Sequence, residues 1–228
     1  MEKMLNEQIE EQVREVFEGL ENPVNILFFE SNQGSCEYCE PTQQLLHEVV
    51  QLSDRLSLSV FDIDRNKELA EKYHVDKTPA TVIAGLDGEE VLDYGVRFLG
   101  IPAGHEFTSL IRNIIMVSNR DSGLSEETRA FLSKIETPIH LQVFVTPTCP
   151  YCPQAVILAH QFAMESALVE AEMVEAMEFP ELSDHFKVSG VPHTIFNSGL
   201  GEFVGAMPEK YMLEKLQQLT AKLRRLEV

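Results

Sequence analysis

Apolar residues recur along the first half of the chain at two spacings, one typical of helices and one typical of strands. Leu5, Ile9, Val13 and Phe17 fall on one face of an amphipathic helix. Short apolar runs bounded by turn residues predict strands. In chain order we predict helix 5–19, strand 26–29, a helix to about 52, strand 56–63, helix 67–73, strand 81–83, strand 91–96 and helix 107–115.

Two turn signals and a second series of elements complete the pattern. Asp87-Gly88 predicts a hairpin between two of the first-half strands. The second half starts with a leading helix capped by Ser125, then an apolar strand over 139–145 and a helix-like stripe over 155–163. A closing helix runs through Met212, Leu216, Leu219 and Leu223. The order of elements is therefore the same in both halves.

The repetition extends to individual residues. A shift of 113 residues places Cys36 on Cys149, Cys39 on Cys152 and Pro79 on Pro192. We expect this single register to hold from position 26 to 84, through strand, helix, strand and turn. The sequence thus predicts a tandem duplication, with one domain over 1–118 and a second over 119–228.

The four cysteines form two Cys-x-x-Cys pairs, each between a predicted strand and a predicted helix. A helix amino terminus carries unsatisfied N–H groups and a partial positive charge, which favour thiolate over thiol. The thiolate is the nucleophilic form of cysteine. We therefore expect Cys36 and Cys149 to attack disulfides, and Cys39 and Cys152 to resolve the mixed disulfides that form.

Composition narrows the class of protein. Hydrophobic residues make up 44% and charged residues 24% of the 228-residue chain, typical of a globular protein. No stretch approaches the ~18 consecutive apolar residues of a membrane helix, and the polar, acidic start does not resemble a signal peptide. We expect a cytoplasmic protein, where paired thiols are catalytic or metal-binding. The net charge of −19 argues against nucleic acid and anionic membranes as partners.

These residues carry a family resemblance that covers nearly the whole chain. An apolar strand, a Cys-x-x-Cys at a helix start and a proline 43 positions after the first cysteine resemble the thioredoxin fold. Pro150-Tyr151 within the second pair resembles glutaredoxin. Two such units, together with the runs at 100–107 and 144–149, resemble the protein disulfide oxidoreductases of thermophilic archaea and bacteria. The expected fold is α/β, with two tandem thioredoxin-like domains, each a central mixed sheet flanked by helices.

The resemblance implies a function and a set of residues. It implies reductase and oxidase activity on protein disulfides, with isomerase activity as a further option, no cofactor, no metal, and a thioredoxin-reductase-like flavoenzyme as electron donor. The prolines that match the family, Pro79 and Pro192, are expected to be cis and to face the thiols. Tyr38, Pro150 and Tyr151 lie between the cysteines and complete the expected site.

Two other functions stay open at this stage. One is an electron shuttle dedicated to a peroxide-reducing system, whose paired thioredoxin-like module keeps one working pair, whereas this chain has both. The other is a scaffold protein that holds zinc with its four thiols. Structural zinc pairs are usually separated by ~15–20 residues, much closer than Cys39 and Cys149, so redox chemistry is favoured.

Three further side chains are candidates for a supporting role. Glu30 lies six residues before Cys36, where thioredoxins have a buried acid that assists proton transfer, and we expect it to be buried. At the corresponding place the second half has Val143. His47 and His160 coincide under the repeat, but both are expected on the solvated side of their helices.

The two pairs differ in their charged surroundings. Glu37 and Glu40 flank the first pair, in the half that carries most of the net negative charge, whereas the second pair is flanked by prolines. Carboxylates oppose thiolate formation. We therefore predict that Cys149 is the more reactive nucleophile and that the second pair has the less negative reduction potential.

Overall fold

The computed structural model describes residues 3–32 and 36–226. The first half contains α1 (Glu7–Phe17), β1 (Val24–Glu30), α2 (Cys39–Val50), β2 (Leu56–Asp62), α3 (Lys67–Lys72), β3 (Ala80–Asp87), β4 (Glu90–Leu99) and α4 (Glu106–Asn119). The second half contains α5 (Glu126–Leu132), β5 (Ile139–Val145), α6 (Cys152–Glu165), β6 (Val169–Glu175), α7 (Pro180–His185), β7 (His193–Phe196), β8 (Gly201–Val204) and α8 (Glu209–Leu226).

The two halves share one mixed sheet. Its strand order is β2-β1-β3-β4-β6-β5-β7-β8, and within each half the first two strands are parallel and the hairpin strands antiparallel. β4 pairs in parallel with β6, from Val96 opposite Ala171 to Leu99 opposite Val174, and this pairing joins the halves. The predicted α/β fold with two tandem units is confirmed, although the two sheets are continuous rather than separate.

The helices cover the sheet unequally. One face packs on α1, α2, α4, α5, α6 and α8, and its core runs without interruption through both units, with Leu46, Ile114 and Phe162 fully buried. The other face packs on the two short helices, α3 and α7, around Phe29 and Phe144. β1 and β5 are buried on both faces, which explains why both appear in the sequence as unbroken apolar runs.

The helix cap and the hairpin turn predicted from short stretches of sequence are both present in the structure. The Ser125 side chain accepts a hydrogen bond from the Thr128 backbone N–H and caps α5 as predicted. The Asp87-Gly88 hairpin is confirmed, with Gly88 at φ +61° and Asp87 opposite Glu90. β4 is longer than predicted because its last residues pair on both sides, with β3 of the same half and with β6 of the other half.

The single repeat register is wrong for the first strand of each unit. Phe28 of β1 lies opposite Thr81, and Val143 of β5 lies opposite Thr194. Thr81 and Thr194 are equivalent under the shift of 113, so Phe28 corresponds to Val143, a shift of 115. The second half therefore has two residues fewer between its strand and its thiol pair.

Among the described residues, no helix is long and apolar enough to span a bilayer.

Candidate functional site

Both thiol pairs lie at the same edge of the sheet. β1, β4, β6 and β5 run in one direction, so the carboxyl ends of β1 and β5, which precede the two pairs, lie together. Four strand-to-strand steps separate β1 from β5, or roughly 19 Å at about 4.8 Å a step. One extended surface therefore presents two separate redox pairs.

Each pair forms a disulfide in which the first cysteine is more exposed than the second. The Cα atoms are 5.3 Å apart in Cys36–Cys39 and 5.5 Å apart in Cys149–Cys152. Cys36 is half-buried and Cys39 is 6% exposed, while Cys149 is 8% exposed and Cys152 fully buried. A substrate reaches the first cysteine of each pair more easily, which supports the expected division between attacking and resolving thiols.

Each pair sits at a helix amino terminus that has no side-chain cap. α2 begins at Cys39 and α6 at Cys152, so the first cysteine lies in the turn just before the helix. The N-cap residues are Tyr38 and Tyr151, and neither side chain accepts a hydrogen bond from the helix. The partial positive charge at the start of each helix therefore lies beside the first cysteine, where it favours a thiolate, although Pro41 and Pro153 contribute no N–H to these first turns.

The two matched prolines have equivalent surroundings. The Thr78-Pro79 and Val191-Pro192 bonds are both cis, as predicted, and both prolines are buried. The Pro79 carbonyl accepts a hydrogen bond of 3.0 Å from the Gly100 N–H, and the Pro192 carbonyl accepts one of 2.7 Å from the Gly205 N–H. Each proline is thus connected to the end of the hairpin strand beside it. Their contact with substrate remains a prediction.

The family model described as Thioredoxin domain matches residues 24–111 and 139–218, most of both units. The chain belongs to the thioredoxin domain family. It is 30% identical to the F subunit of alkyl hydroperoxide reductase from Staphylococcus aureus (strain NCTC 8325 / PS 47), over 93% of this chain and 38% of that protein. The chain therefore spans well under half the length of the curated relatives that it matches.

Solved structures with the same paired arrangement include two relatives of different kinds. A protein disulfide oxidoreductase from Aeropyrum pernix superposes with a TM-score of 0.82 and 32% identity, covering 92% of this chain and 90% of that one. The NTD_N/C domain of alkylhydroperoxide reductase AhpF from Enterococcus faecalis superposes at 0.83 with 26% identity, covering 92% and 98%. This chain thus has two Cys-x-x-Cys pairs in thioredoxin units, the arrangement that supports thiol–disulfide exchange.

The predicted burial of Glu30 is wrong. Glu30 is half-buried at the end of β1, opposite Asp62 of β2, and Asn32 lies beside both carboxylates. Its counterpart in the second unit is Val145 rather than Val143, because the first strand follows the shift of 115. The prediction that the second unit has no acid at this position is confirmed. A catalytic role for Glu30 remains a prediction.

Carboxylates from the second unit approach the first thiol pair. Glu178 accepts a hydrogen bond of 2.8 Å from the Ile101 N–H and packs against Gly100, the residue bonded to Pro79. Burial raises the pKa of Glu178 to about 7, and its Oε2 atom is buried without a partner among the described residues. The Glu37 carboxylate, with Glu178 and Glu175 behind it, raises the pKa of the Tyr38 phenol. The first pair therefore faces more negative charge than its own unit supplies.

A buried acid of the first unit follows directly after a residue that is hydrogen-bonded to the turn before the second thiol pair. Glu106, on the first turn of α4, is 1% exposed, and burial raises its pKa to about 7 although the Ser109 hydroxyl donates to it at 2.5 Å. The preceding residue, His105, donates its N–H to the Pro147 carbonyl, two residues before Cys149. Sequence analysis missed Glu106 as a functional candidate, because nothing local distinguishes it from the other acids that start helices.

The two matched histidines occupy different environments. His47 is exposed on α2, as expected. His160 is fully buried, so its predicted exposure is wrong: its Nε2 lies 3.0 Å from the Arg97 carbonyl oxygen and its ring 5.0 Å from the Phe98 ring. Burial lowers the pKa of His160 to about 3, which keeps the ring neutral. It packs α6 of the second unit on β4 of the first, a contact that the sequence of one unit does not contain.

The geometry excludes one alternative. Four thiolates that share a zinc ion lie within a few ångströms of one another, since Zn–S distances are about 2.3 Å. Here each cysteine is joined to its neighbour in the motif, and the pairs are four strands apart. The four thiols therefore do not form a common zinc site.

Proposed function

We propose that the protein transfers electron pairs between its two Cys-x-x-Cys pairs and the disulfides or dithiols of other proteins. A thiolate at Cys36 or Cys149 attacks a substrate disulfide and expels one substrate thiolate. Cys39 or Cys152 then attacks the mixed disulfide, releases the second thiolate and leaves the enzyme oxidised by two electrons. The observation that carries this proposal is the presence of two pairs at one edge of the sheet, in each of which the first cysteine is more exposed than the second.

The reductant that we propose is a thioredoxin-reductase-like flavoenzyme, in a cytoplasmic setting. The similarity to the Aeropyrum pernix protein disulfide oxidoreductase supports general action on protein disulfides. Pro79 and Pro192, together with Tyr38, Pro150 and Tyr151, would contact the substrate chain beside the sulfurs. A proline leaves the backbone of the preceding residue free to pair with an extended peptide.

A second candidate function is favoured by the similarity to the F subunit of alkyl hydroperoxide reductase over 93% of the chain. In that function the protein would pass electrons from a flavoenzyme to a single peroxide-reducing partner. The presence of both Cys-x-x-Cys pairs favours the general function, because a dedicated relay needs one pair to receive electrons and pass them on.

Insulin reduction with dithiothreitol tests the first proposal. We expect turnover by the wild-type protein, loss of most of it in Cys149→Ser and a smaller loss in Cys36→Ser. The same three proteins, supplied with NADPH and a thioredoxin reductase, test the electron donor. A protein that fails on insulin but reduces a two-cysteine peroxiredoxin would contradict the general function and support the dedicated shuttle.

A further inference from the structure

A groove lined by polar side chains crosses the junction of the two units, away from the thiol pairs. It lies on the sheet face that carries α3 and α7, and strands β4, β6 and β5 form its floor. We call it the seam groove and define it by Asp93, Arg97, His140, Gln142, Glu170 and Glu172, with His74 at its rim. None of these residues belongs to a Cys-x-x-Cys pair or is one of the two cis prolines.

Three potential metal ligands converge within this groove. His140 Nε2 lies 3.0 Å from Glu172 Oε2 and 3.9 Å from Glu170 Oε1, and one ligand atom from each residue falls within 4.8 Å of the others. Zinc binds nitrogen and oxygen ligands at about 2.0–2.2 Å, which separates ligand atoms in a tetrahedral site by roughly 3.3 Å. The observed spacings lie on both sides of that value, so small side-chain movements would complete the site.

The two carboxylates are held in place and shielded from solvent. The Glu172 side chain is 7% exposed, and Gln142 Nε2 donates to its Oε2 at 3.0 Å. The Glu170 side chain is 19% exposed and lies 3.5 Å from Arg97 Nη2. Hydrogen bonds of this kind orient carboxylate ligands in metal sites.

The basic side chains in and beside the groove are already paired with carboxylates. Asp93 accepts two hydrogen bonds from Arg97, at 2.8 and 2.7 Å, and so offsets the guanidinium charge. At the rim, Lys77 is paired with Asp76. Within residues 3–32 and 36–226, the ion-pair contact of Glu172 is to His140, the residue that a metal site would also use as a ligand. A divalent cation bound between them would place positive charge beside both carboxylates.

A histidine of the first unit lies beside Glu170, next to this group of three residues. His74 Nδ1, in the loop after α3, lies 2.9 Å from Glu170 Oε2. His140, Glu170 and Glu172 belong to β5 and β6 of the second unit, so a metal bound by all four residues would connect the two units. Two imidazoles and two carboxylates suit zinc among the common divalent metals.

We propose that the seam groove binds one zinc ion through His140, Glu170 and Glu172, with His74 of the first unit as the fourth ligand. The ion would join the two thioredoxin units on the face where only α3 and α7 cover the sheet. This site is separate from the four cysteines and works in either redox state of the thiols.

Calorimetric titration with zinc tests the site in a protein whose four cysteines are replaced by serine, because reduced thiols would bind zinc themselves. We expect one zinc per chain and a higher melting temperature with zinc than with a chelator. Cobalt should bind in the same place and give a tetrahedral visible spectrum without a sulfur-to-metal charge-transfer band. Absence of saturable zinc binding would overturn the proposal and leave an ion-pair network only.

Variants in the same cysteine-free protein locate the ligands. His140→Ala and Glu172→Gln should each weaken zinc binding more than tenfold and abolish the thermal shift, whereas Gln142→Ala should weaken it about tenfold by releasing a ligand. His74→Ala should have an intermediate effect. His47→Ala, which removes an exposed histidine, is the matched control and should leave binding unchanged.

Two checks keep the result decisive. Circular dichroism without metal shows whether each variant is folded, and Glu170→Gln replaces any variant that is not. Zinc binding that is unaffected in folded His140→Ala and Glu170→Gln proteins would overturn the proposal, because the ion would then be bound elsewhere.

Discussion

At the scale of single residues, the carboxylates around the two thiol pairs give the pairs different electrostatic surroundings. Glu37 lies between the first two cysteines, and Glu175 and Glu178 of the other unit lie near enough to act on Tyr38. No acid lies between Cys149 and Cys152. The tertiary structure therefore adds negative charge near the first thiol pair, where the sequence already has Glu37.

Alkylation rates measure this difference directly. With iodoacetamide at about pH 6 and low salt, Cys149 of the reduced protein should react faster than Cys36, because nearby carboxylates oppose thiolate formation at the first pair. Added salt should narrow the difference by screening exposed charges. Cys149 is the more buried of the two sulfurs, so faster labelling of Cys36 would mean that access outweighs charge.

The pH dependence at Cys36 isolates the contribution of Glu178. With a pKa of about 7, Glu178 is neutral at about pH 5.5 and charged at about pH 8. We expect Glu178→Gln to speed Cys36 alkylation a few-fold at the higher pH, where a carboxylate is removed, and to leave it unchanged at the lower pH. Mass spectrometry after timed labelling measures both rates.

Glu30→Gln is the matched control for that experiment. It removes the half-buried acid at the end of β1 and leaves Glu178 in place, so the contribution of Glu178 to the Cys36 alkylation rate at the two pH values should be retained. If Glu30→Gln instead slows insulin turnover at the first pair, Glu30 serves as the general base that its position before Cys36 suggests. If Glu30→Gln and Glu178→Gln change the Cys36 alkylation rate equally at both pH values, Glu178 has no special influence on Cys36.

Burial of Glu106 makes stability depend on pH. A carboxyl whose pKa rises on folding binds more protons in the native state than in the unfolded one, so stability falls as pH rises from about 4.5 to about 7. A pKa shift of this size changes the free energy of unfolding by about 3 kcal/mol across this pH range. The stability of Glu106→Gln relative to wild type should therefore be higher at about pH 8 than at about pH 5. Urea unfolding of both proteins at the two pH values measures this difference.

A control for Glu106 is available at the equivalent place on another helix. Glu126 also begins a helix but is exposed, so Glu126→Gln should show little change in relative stability across the same pH range. A Glu106→Gln protein that behaves like Glu126→Gln would mean that the Glu106 carboxyl keeps an ordinary pKa in the folded protein.

At the scale of elements, the contact between β4 and β6 depends on a glycine. Gly95 of β4 has φ +71°, and a Cβ atom there would lie 2.6 Å from the Val169 carbonyl oxygen. Only a residue without a side chain lets the two strands approach this closely. The pairing that joins the units is thus encoded at a position whose partner lies in the other half.

Gly95→Ala and Gly88→Ala separate this contact from backbone strain. Gly88, in the hairpin, has a similar φ of +61°, but a Cβ atom added there would have no described atom within 4 Å. Gly88→Ala should lose about 1 to 2 kcal/mol of unfolding free energy from conformation alone. Gly95→Ala should lose about 1 to 3 kcal/mol more from overpacking. Equal losses in urea unfolding would show that the β4–β6 contact adjusts freely.

At the scale of the whole molecule, one core and one sheet extend through both thioredoxin units. The larger core includes residues from six helices of both halves, and β4–β6 pairing leaves no edge between the units. The proposed division at 118/119 falls at the end of α4, which ends at Asn119. We regard it as a boundary between repeats rather than between independently folding parts.

Calorimetry tests this cooperativity. We expect the oxidised full-length protein to unfold in one transition, with calorimetric and van't Hoff enthalpies in agreement, because opening either unit exposes the shared core. Two resolved transitions, each shifted by substitutions in a different half, would show that the units unfold separately in spite of the continuous sheet.

Much of the fold was predictable because its signals are local. Apolar periodicity placed β5 at its observed residues, Ser125 indicated the start of α5, and the spacing of Cys36 and Pro79 indicated the thioredoxin unit. These features depend on residues that are close in sequence or on a motif repeated twice. The two-residue difference before the thiol pairs was missed, because apolar strands look alike when shifted by an even number.

The sequence by itself determined the thioredoxin class, the duplication and the two thiol pairs, because a Cys-x-x-Cys motif before a helix and its repetition are local features of the chain. Only the tertiary structure decided how the repeats join. The β4–β6 pairing buries His160, brings Glu178 to the first pair and Glu106 to the approach of the second, and assembles the seam groove. Each of these depends on contacts between residues far apart in the chain, and neither periodicity nor a motif records such contacts.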